Sequence, residues 1–252
     1  MAEWFERFFN GLFAEALRSW FAESETSEHV RVVRRLLKLR KGQRVLDIPC
    51  GMGRLTIPMA RTGLTMTGVD FTASYLRRAR RLASRDGLEI RFLCKDMREI
   101  AFNGEFDAAF NWWGSFGYFS DADNLRFCGQ VFQALMPGGR FLVEGPNKSW
   151  ILSHFRPRYE QTVGGVRIVE RGRWDARRER VVSTWSFYKG SVSERRRVST
   201  RIYNGSEMRS LLRAAGFRDI RLFGHPPLGR FTRHSKRVIA VGRRPLVGRI
   251  NG

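Results

Sequence analysis

The chain has 252 residues, which suffices for one well-buried α/β domain and is short for two. Its 42% hydrophobic and 28% charged residues are typical of a globular protein, and no apolar run reaches the roughly 18 residues that a transmembrane helix requires, which argues against a membrane-spanning protein. The formal net charge is +22, of which residues 151–252 carry +17. Because the arginines are scattered along the chain, a compositional bias explains this charge better than a dedicated nucleic-acid surface does.

The first forty residues are predicted to be helical. Residues 2–22 place aromatic side chains at helical spacing, which predicts one amphipathic helix with an aromatic face. A second helix is predicted from about Ser27 to Leu39. The first helix is acidic and lacks a basic start, so a secretory signal is not expected. We therefore expect an N-terminal helical cap at residues 1–40.

From residue 41 onward, short apolar strands alternate with helices. The predicted strands are residues 44–48, 64–70, 89–93, 106–110 and 140–144, and the helices between them are residues 55–61, 73–85 and 122–135. Such alternation is typical of βαβ units, which form a mostly parallel sheet covered by helices on both faces. We expect a Rossmann-like α/β core at residues 41–148.

Residues 149–204 depart from this alternation. Three β-runs separated by turn residues predict a small antiparallel β insertion, or lid, beside the main sheet: 166–174, 181–188 and about 196–203. The core sheet is completed over residues 205–243 by a helix at 206–215 and strands at 218–223 and 237–241. Residues 244–252 are predicted to be a tail.

The segment 45–54 carries the most informative motif. A strand ends in Asp47, Gly51 and Gly53 form a turn, and a helix follows, so backbone N–H groups and the helix N-terminus face any ligand held there. A dinucleotide-binding motif needs a third glycine where Thr56 stands, and an acid beside a pyrophosphate is repulsive. An acid beside the ammonium group of an amino-acid ligand is favourable, which points to S-adenosylmethionine (SAM) instead of a nicotinamide cofactor.

Two other kinds of site are excluded. No G-x-x-x-x-G-K-[ST] sequence is present, so the chain is not a P-loop ATPase. The three cysteines have no metal-ligand spacing, which predicts free thiols in a reducing cytoplasm and no bound metal.

Further candidate ligand contacts follow the next strands. Asp70 ends the second strand, where a carboxylate can accept both ribose hydroxyls, and Asp96 follows the third, where a carboxylate can accept the adenine amino group. Phe71 and Met97 can cover the adenine faces. Asn111 ends the fourth strand, at the sheet edge where ligands of open α/β sheets bind. Each polar residue also has a simpler interpretation as a cap of a helix or strand.

In this order and spacing, the motifs resemble those of class I SAM-dependent methyltransferases, specifically the compact bacterial ones. The matching segments are residues 47–54, 68–70, 96–98, 111–119 and 135–139. The resemblance implies a seven-stranded sheet with an antiparallel last strand, an N-terminal helix that closes over the cofactor, and a substrate lid built from the insertion. It also implies SAM as cofactor and S-adenosylhomocysteine as product, bound by Asp47, Cys50, Gly51, Gly53, Arg54, Asp70, Phe71, Asp96, Met97 and Asn111.

The candidate acceptor residues lie in two segments. Methyl transfer is an in-line displacement on a sulfonium, for which the acceptor must be held in line and water excluded. Trp112 and Trp113 are candidate pocket walls or core aromatics, and Tyr118 either orients the acceptor or packs. Some related enzymes have a histidine base where Tyr118 stands, so Tyr118 is the catalytic candidate and a strong base is in doubt. Arg201 and Tyr203 are candidate contacts for an acceptor carboxylate or phosphate, with strand packing as the alternative.

Three functions remain open from the sequence. Compact size, the aromatic segment and the insertion favour methyl transfer to an N or O atom of a small molecule. The basic C-terminal part leaves an RNA or other nucleic-acid methyltransferase as an alternative, although the N-P-P-[FY] motif used on exocyclic base amines is absent. A SAM-binding protein without transfer is the third. We expect a small-molecule partner and no membrane, and a homodimer through the exposed strands of the insertion stays open.

Overall fold

The computed structural model describes residues 4–246, so the first residues of the predicted cap and the end of the predicted tail lie outside the described residues. The helices are α1 (Trp4–Phe8), α2 (Gly11–Leu17), α3 (Glu23–Leu37), α4 (Thr56–Arg61), α5 (Ala73–Arg85), α6 (Asp121–Ala134), α7 (Lys148–Ser153) and α8 (Gly205–Ala214). The strands are β1 (Arg44–Asp47), β2 (Thr65–Asp70), β3 (Arg91–Cys94), β4 (Phe106–Asn111), β5 (Leu135–Pro146), β6 (Arg158–Val163), β7 (Val166–Asp175), β8 (Arg180–Lys189), β9 (Val192–Arg201), β10 (Arg218–His225), β11 (Gly229–Arg230) and β12 (Arg237–Arg243). Among these helices, none combines the length and the apolar character needed to cross a membrane.

The main sheet confirms the predicted Rossmann-like architecture. Its strand order is β11-β10-β12-β5-β4-β1-β2-β3. The five neighbouring strands β5, β4, β1, β2 and β3 run parallel to one another, and β12 runs antiparallel to β5. The predicted strand number of seven was wrong by one. The eighth strand, β11, has two residues and closes a hairpin on β10, with Phe223 opposite Arg230. A run of two residues has no periodicity to read, which is why the sequence contains no signal for it.

The central strands explain where the site forms. Leu46 on β1 and Ala109 and Phe110 on β4 are fully buried, because helices cover both faces of the sheet. Parallel strands bring their carboxyl ends to the same edge of a sheet. The register therefore sets Asp47 of β1 beside Gly68 of β2 and one residue below the level of Asn111 on β4.

A second sheet is formed by the insertion and has four antiparallel strands in the order β6-β7-β8-β9. Three strands were predicted, and β6 was missed. The six residues of β6 are mostly exposed and polar, so they lack the apolar alternation that marks a half-buried strand. β6 lies at the edge of this sheet and pairs with β7 from Arg158↔Arg171 to Val163↔Val166.

The N-terminal region has two short helices where one was predicted over residues 2–22. The chain turns at Gly11, whose φ is +55°, and the backbone N–H of Leu12 donates to Glu194 Oε2 on β9 at 3.2 Å. The aromatic side chains of these helices pack on the insertion sheet, where Phe13 contacts Phe187 at 6.0 Å between ring centroids. The aromatic face was predicted correctly, but the break depends on Glu194, which lies 182 residues away.

Candidate functional site

A cavity of about 280 Å³ opens at the carboxyl edge of the main sheet. The ends of β1, β2 and β4, the start of α5 and the N-terminal helices supply its walls. The structure brings together at this cavity most of the predicted site residues: Asp47, Cys50, Gly51, Arg54, Asp70, Phe71, Asp96, Met97, Trp112, Trp113 and Tyr118. The predicted residues Gly53, Asn111, Arg201 and Tyr203 do not line it.

The two glycines of the turn after β1 have different roles. Gly51 has a φ of +57° and lines the cavity, and a Cβ built on it meets no atom within 4 Å, so its backbone is open to a ligand. Gly53 has a φ of +80°, and a Cβ there would lie 3.0 Å from Ile57 Cδ1 and 3.3 Å from Ala79 Cβ. Gly53 therefore permits the close packing of α4 and α5 and positions the turn from behind.

The Asp70 carboxylate is anchored to the backbone through both of its oxygens. Its Oδ2 accepts from the backbone N–H of Gly51 at 2.9 Å and its Oδ1 from that of Thr72 at 2.8 Å. Burial raises the pKa of Asp70, and these two hydrogen bonds counteract that shift. Each carboxylate oxygen can accept a further hydrogen bond, so the anchored group suits a pair of ligand hydroxyls.

Asp47 lies at the end of β1 and is 3% exposed. Its Oδ2 accepts from Thr56 Oγ1 at 2.6 Å. Burial raises the pKa of Asp47 from its ordinary value near 3.8 to about 8, against the opposing effect of the Thr56 hydrogen bond and the Arg54 charge. The guanidinium of Arg54 is itself fixed, because it donates to His29 Nδ1 at 3.0 Å and lies 3.8 Å from the ring centroid of Phe21.

The raised pKa of Asp47 predicts that binding of a cationic ligand is linked to pH. A positive charge beside the carboxylate stabilises its ionised form, so binding of SAM below pH 8 is expected to release a proton from Asp47. Affinity for SAM is then expected to rise between pH 6 and 8, by at most about tenfold per pH unit. In the ligand-free protein, the raised pKa means that protonated Asp47 stabilises the folded state relative to the unfolded chain. This contribution to the free energy of unfolding is lost as pH rises from about 4 to about 8. Calorimetry in two buffers of different ionisation enthalpy measures the proton release.

The same titration of Asp47→Asn is the control, because an amide cannot ionise. The same pH dependence of SAM binding in wild-type protein and Asp47→Asn, or proton uptake on binding, would show that Asp47 does not release the proton.

The predicted adenine contacts lie on one side of the cavity. Asp96 accepts from the backbone N–H of Arg98 at 2.8 Å and from its Nη2 at 2.7 Å. Partial burial raises the pKa of Asp96, but the hydrogen bonds from Arg98 outweigh it and the net shift is downward. Phe71 packs edge-on against Phe5 of α1 at 5.6 Å, so α1 roofs this part of the cavity. An ionised carboxylate between apolar walls suits a flat base with an exocyclic amine.

The segment after β4 forms the other side. Trp113 has a φ of +69°, which a bulky L-residue rarely adopts, and its backbone N–H donates to Glu144 Oε2 at 2.8 Å. Glu144 is 1% exposed and is bound by two nitrogens of Arg237, with Nη2 2.9 Å from Oε2. A buried ion pair thus supports the strained backbone, which turns Trp113 into the cavity wall.

Tyr118 lies between the aromatic side chains of this segment and the N-terminal helices. Its ring centroid is 5.0 Å from Trp4 and 5.9 Å from Phe9. Burial raises the pKa of Tyr118 to about 12, so the phenol is protonated at neutral pH. A protonated phenol can donate a hydrogen bond and is a poor general base.

Three predicted residues have partners elsewhere in the protein. The Arg201 guanidinium lies 2.6 Å from Glu179 and 3.2 Å from Glu207, and Tyr203 donates to Asp121 Oδ1 at 2.6 Å. These contacts support the strand-packing interpretation of Arg201 and Tyr203, which tie β9 to α6 and α8. Asn111 is fully buried and donates to the carbonyl of Ile48 at 2.9 Å, so it joins β4 to the turn after β1 from behind the cavity wall.

Sequence reasoning did not single out several lining residues. Tyr75 lies in the first turn of α5, is 3% exposed and has a buried hydroxyl without a hydrogen-bond partner among residues 4–246. Arg18 and Phe21 reach the cavity from the end of α2 and the loop after it. Tyr75 could have been predicted from the sequence as a lining residue, because it follows Asp70 by five residues at the ligand edge of the sheet. Arg18 and Phe21 could not have been predicted, because their position depends on the fold of the cap.

Residues 45–139 match the family described as methyltransferase domain. Demethylmenaquinone methyltransferase of Thermus thermophilus is 36% identical to this chain over 104 residues, which are 40% of this chain and 46% of that protein. The chain therefore spans less than half the length of this curated relative. The residues that match the family, 45–139, contain the turn after β1 and the strand ends that line the cavity.

Solved structures resemble the whole fold. The CcbJ methyltransferase of Streptomyces caelestis superposes with a TM-score of 0.81 at 16% identity, over 95% of this chain and 99% of that one. The SAM-bound amino pentose methyltransferase CalS10 of Micromonospora echinaspora gives a TM-score of 0.67 at 17% identity, over 93% of this chain and 97% of that one. At such identities the likeness establishes the fold, and it includes the insertion as well as the core.

Proposed function

We propose that the chain transfers a methyl group from SAM to an N or O atom of a small-molecule acceptor, because residues 45–139 match the methyltransferase domain family and the chain shares the fold of the CcbJ methyltransferase. The observation that carries this proposal is the cavity itself. Anchored carboxylates lie on the floor of the cavity, at the ends of β1 and β2, and aromatic side chains enclose the side formed by the segment after β4.

The residues present fit SAM. Asp70 offers two anchored oxygens for ribose hydroxyls, Asp96 an acceptor for the adenine amine, and Asp47 a carboxylate for the ammonium group. The open backbone at Gly51 allows close approach, and the hydroxyl of Tyr75, which has no hydrogen-bond partner among residues 4–246, offers a donor. When bound, SAM supplies an electrophilic methyl group on a sulfonium.

The chain's own groups then have two tasks. The aromatic walls, Trp112, Trp113 and Tyr118, limit the positions that an acceptor can take and exclude water from the reacting atoms. Their electron-rich faces also stabilise a nearby sulfonium or ammonium. Because Tyr118 stays protonated, it does not take up the proton that an amine or hydroxyl acceptor loses.

A small acceptor is favoured over a nucleic acid by the enclosure of the cavity. The N-terminal helices roof it, with Phe5 packed on both Phe71 and Phe119 at 5.6 and 5.3 Å. An amino pentose methyltransferase and the CcbJ methyltransferase share this overall fold, including the cap and insertion. The likeness to the amino pentose methyltransferase supports a small molecule as the acceptor.

The proposal is tested by incubating methyl-labelled SAM with the protein and a bacterial extract, then separating small molecules, RNA and protein. Label in the small-molecule fraction supports the proposal and yields a compound to identify. Label in RNA replaces it with the nucleic-acid alternative. SAM binding without label in any fraction points to a SAM-binding protein that does not transfer.

Tyr118→Phe is expected to lower kcat by about three- to tenfold, the effect of losing one hydrogen bond of about 0.5–1.5 kcal/mol. Because the phenol is protonated up to about pH 12, the shape of the pH–rate profile between pH 6 and 9 should stay unchanged. Steady-state kinetics across this range measures both. A loss of more than about a thousandfold, or the disappearance of an ionisation from the profile, would contradict a role limited to hydrogen bonding and make Tyr118 a general base.

A further inference from the structure

The insertion sheet has two chemically different faces. Alternate residues of a strand point to opposite faces, and the cross-strand register shows which residues share one. Phe187 and Ile168 are paired and pack under the N-terminal helices, so they define the inner face. The residues of opposite parity define what we call the outer face: on β6 Arg158, Glu160 and Thr162; on β7 Arg167, Val169, Arg171 and Arg173; on β8 Val182, Thr184, Ser186 and Tyr188; on β9 Ser193, Arg195, Arg197 and Ser199.

Arginines dominate the outer face. Six are exposed there, namely Arg158, Arg167, Arg171, Arg173, Arg195 and Arg197. The register places Arg158, Arg171, Thr184 and Arg197 in one row across all four strands. With strands about 4.8 Å apart, this row spans about 14 Å. Six arginines that are scattered in the sequence thus lie together on one face of the insertion sheet.

The cluster has too little negative charge of its own. Arg158 and Arg171 lie directly opposite each other on neighbouring strands, a like-charge arrangement that destabilises a sheet. Two carboxylates share this face: Glu160 is bound by Arg167 and Arg158 at 2.6 Å each, and Asp175, two residues after Arg173 on β7, lies 3.9 Å from the Arg173 guanidinium. The hydrogen bond from Arg167 and the charges of Arg158 and Arg171 lower the pKa of Glu160. Arg195 and Arg197 have no ion pair within residues 4–246.

The rest of the face suits phosphate oxygens. Between the arginines, Thr184 is half-buried and Ser193 is exposed, and both carry hydroxyls that can donate hydrogen bonds to phosphates. Tyr188 is 38% exposed at one end and offers a ring for stacking a base. Val169, in the middle of this face, is only 3% exposed, so among the described residues the middle of the face has no exposed apolar group that could enter a lipid bilayer. This absence favours a nucleic acid over an anionic membrane as the partner.

We propose that the outer face of the insertion sheet binds the phosphate backbone of a single-stranded nucleic acid. Residues 149–204 contribute no lining residue to the cavity among the described part of the chain. The face also points away from the N-terminal helices that roof the cavity. The bound nucleic acid is therefore held away from the site of methyl transfer. It attaches the protein to the nucleic acid and is not the methyl acceptor. The proposal stands independently of the acceptor chosen under the proposed function.

The test measures binding of a fluorescently labelled 12-nucleotide oligouridine to the full chain by anisotropy, at 50 to 300 mM salt. The face variant Arg158→Thr/Arg171→Thr/Arg197→Thr is compared with the control Arg77→Gln/Arg81→Gln/Arg209→Gln, which removes the same charge from exposed helix positions. The face variant is expected to bind at least about tenfold more weakly, and the slope of log K against log salt should fall in magnitude by about 2, since single strands give about 0.7 per phosphate contact. The control is expected to stay within about twofold of the wild type.

Three results would overturn the proposal. The first is no binding of the oligouridine by the wild type at 50 mM salt. The second is equal weakening of binding in both triple variants, which indicates an effect of net charge alone. The third is binding to vesicles with 30% phosphatidylserine but not to RNA, which indicates a membrane surface. SAM binding by the face variant, measured in parallel, is expected to be unchanged. Loss of RNA binding with SAM binding intact separates this inference from the proposed methyl transfer.

Discussion

Asp70→Ala is expected to weaken binding of SAM by about 100-fold or more, the largest single effect on the ligand site. The wild-type carboxylate can accept both ribose hydroxyls, and hydrogen bonds to a charged group contribute about 1.5–3 kcal/mol each. The substitution also frees the backbone N–H groups of Gly51 and Thr72, so the glycine turn loses its anchor. Isothermal calorimetry with S-adenosylhomocysteine or SAM measures the change.

Two companion variants isolate the cause. Asp70→Asn keeps the size of the side chain and one acceptor oxygen, and is expected to bind about tenfold more weakly than the wild type. Asp219→Asn makes the same change at a side chain that is 74% exposed on β10 and should bind like the wild type. A folded Asp70→Ala protein, checked by its thermal unfolding, that still bound SAM with wild-type affinity would show that the ribose is held elsewhere.

Glu144→Gln is expected to lower the free energy of unfolding by about 3 kcal/mol, the largest effect on stability. Glu144 is 1% exposed and is the carboxylate partner of Arg237, whose side chain is 24% exposed. Removing one charge of a buried pair leaves the other without compensation, which typically costs about 3–5 kcal/mol. Urea unfolding followed by circular dichroism measures it. Because Glu144 also accepts from the backbone N–H of Trp113, the acceptor KM is expected to rise as well.

An exposed ion pair provides the matched control for this variant. Glu28 pairs with Arg31 on α3, where both side chains are largely exposed, and Glu28→Gln is expected to change stability by less than about 0.5 kcal/mol. The double variant Glu144→Gln/Arg237→Met removes the buried positive charge too and should recover part of the loss. Equal effects of Glu144→Gln and Glu28→Gln would mean that the buried pair is solvated and does not support the wall.

The parts of the fold that the sequence predicts correctly have local signals. The strands around the turn after β1 are short apolar runs bounded by glycine, and Asp47 and Asp70 follow directly from their position at strand ends. The aromatic face of the N-terminal region was also readable from spacing alone. In each case the information lies within about ten residues, which is the range over which periodicity can be read.

The parts that the sequence does not predict depend on distant partners. The turn at Gly11 is set by Glu194, and Arg201 is directed away from the cavity because Glu179 and Glu207 surround it. The positive φ of Trp113 depends on Glu144 in the neighbouring strand. The clustering of arginines on one face of the insertion became visible only with the cross-strand register. None of these pairings can be predicted from a short segment of the sequence.

The packing of α1 and α2 on the insertion sheet has a consequence for the order in which the protein is made. The backbone of Leu12 binds Glu194, so the ribosome must add 182 further residues before this partner exists. At about 5–20 residues per second, this takes on the order of ten to forty seconds. During that time the β-strands of the core can pair, while Phe8 and Phe13 have no sheet to cover them. The roof of the cavity can therefore form only after β8 and β9 emerge, and until then the nascent chain carries an exposed aromatic segment that a chaperone can recognise.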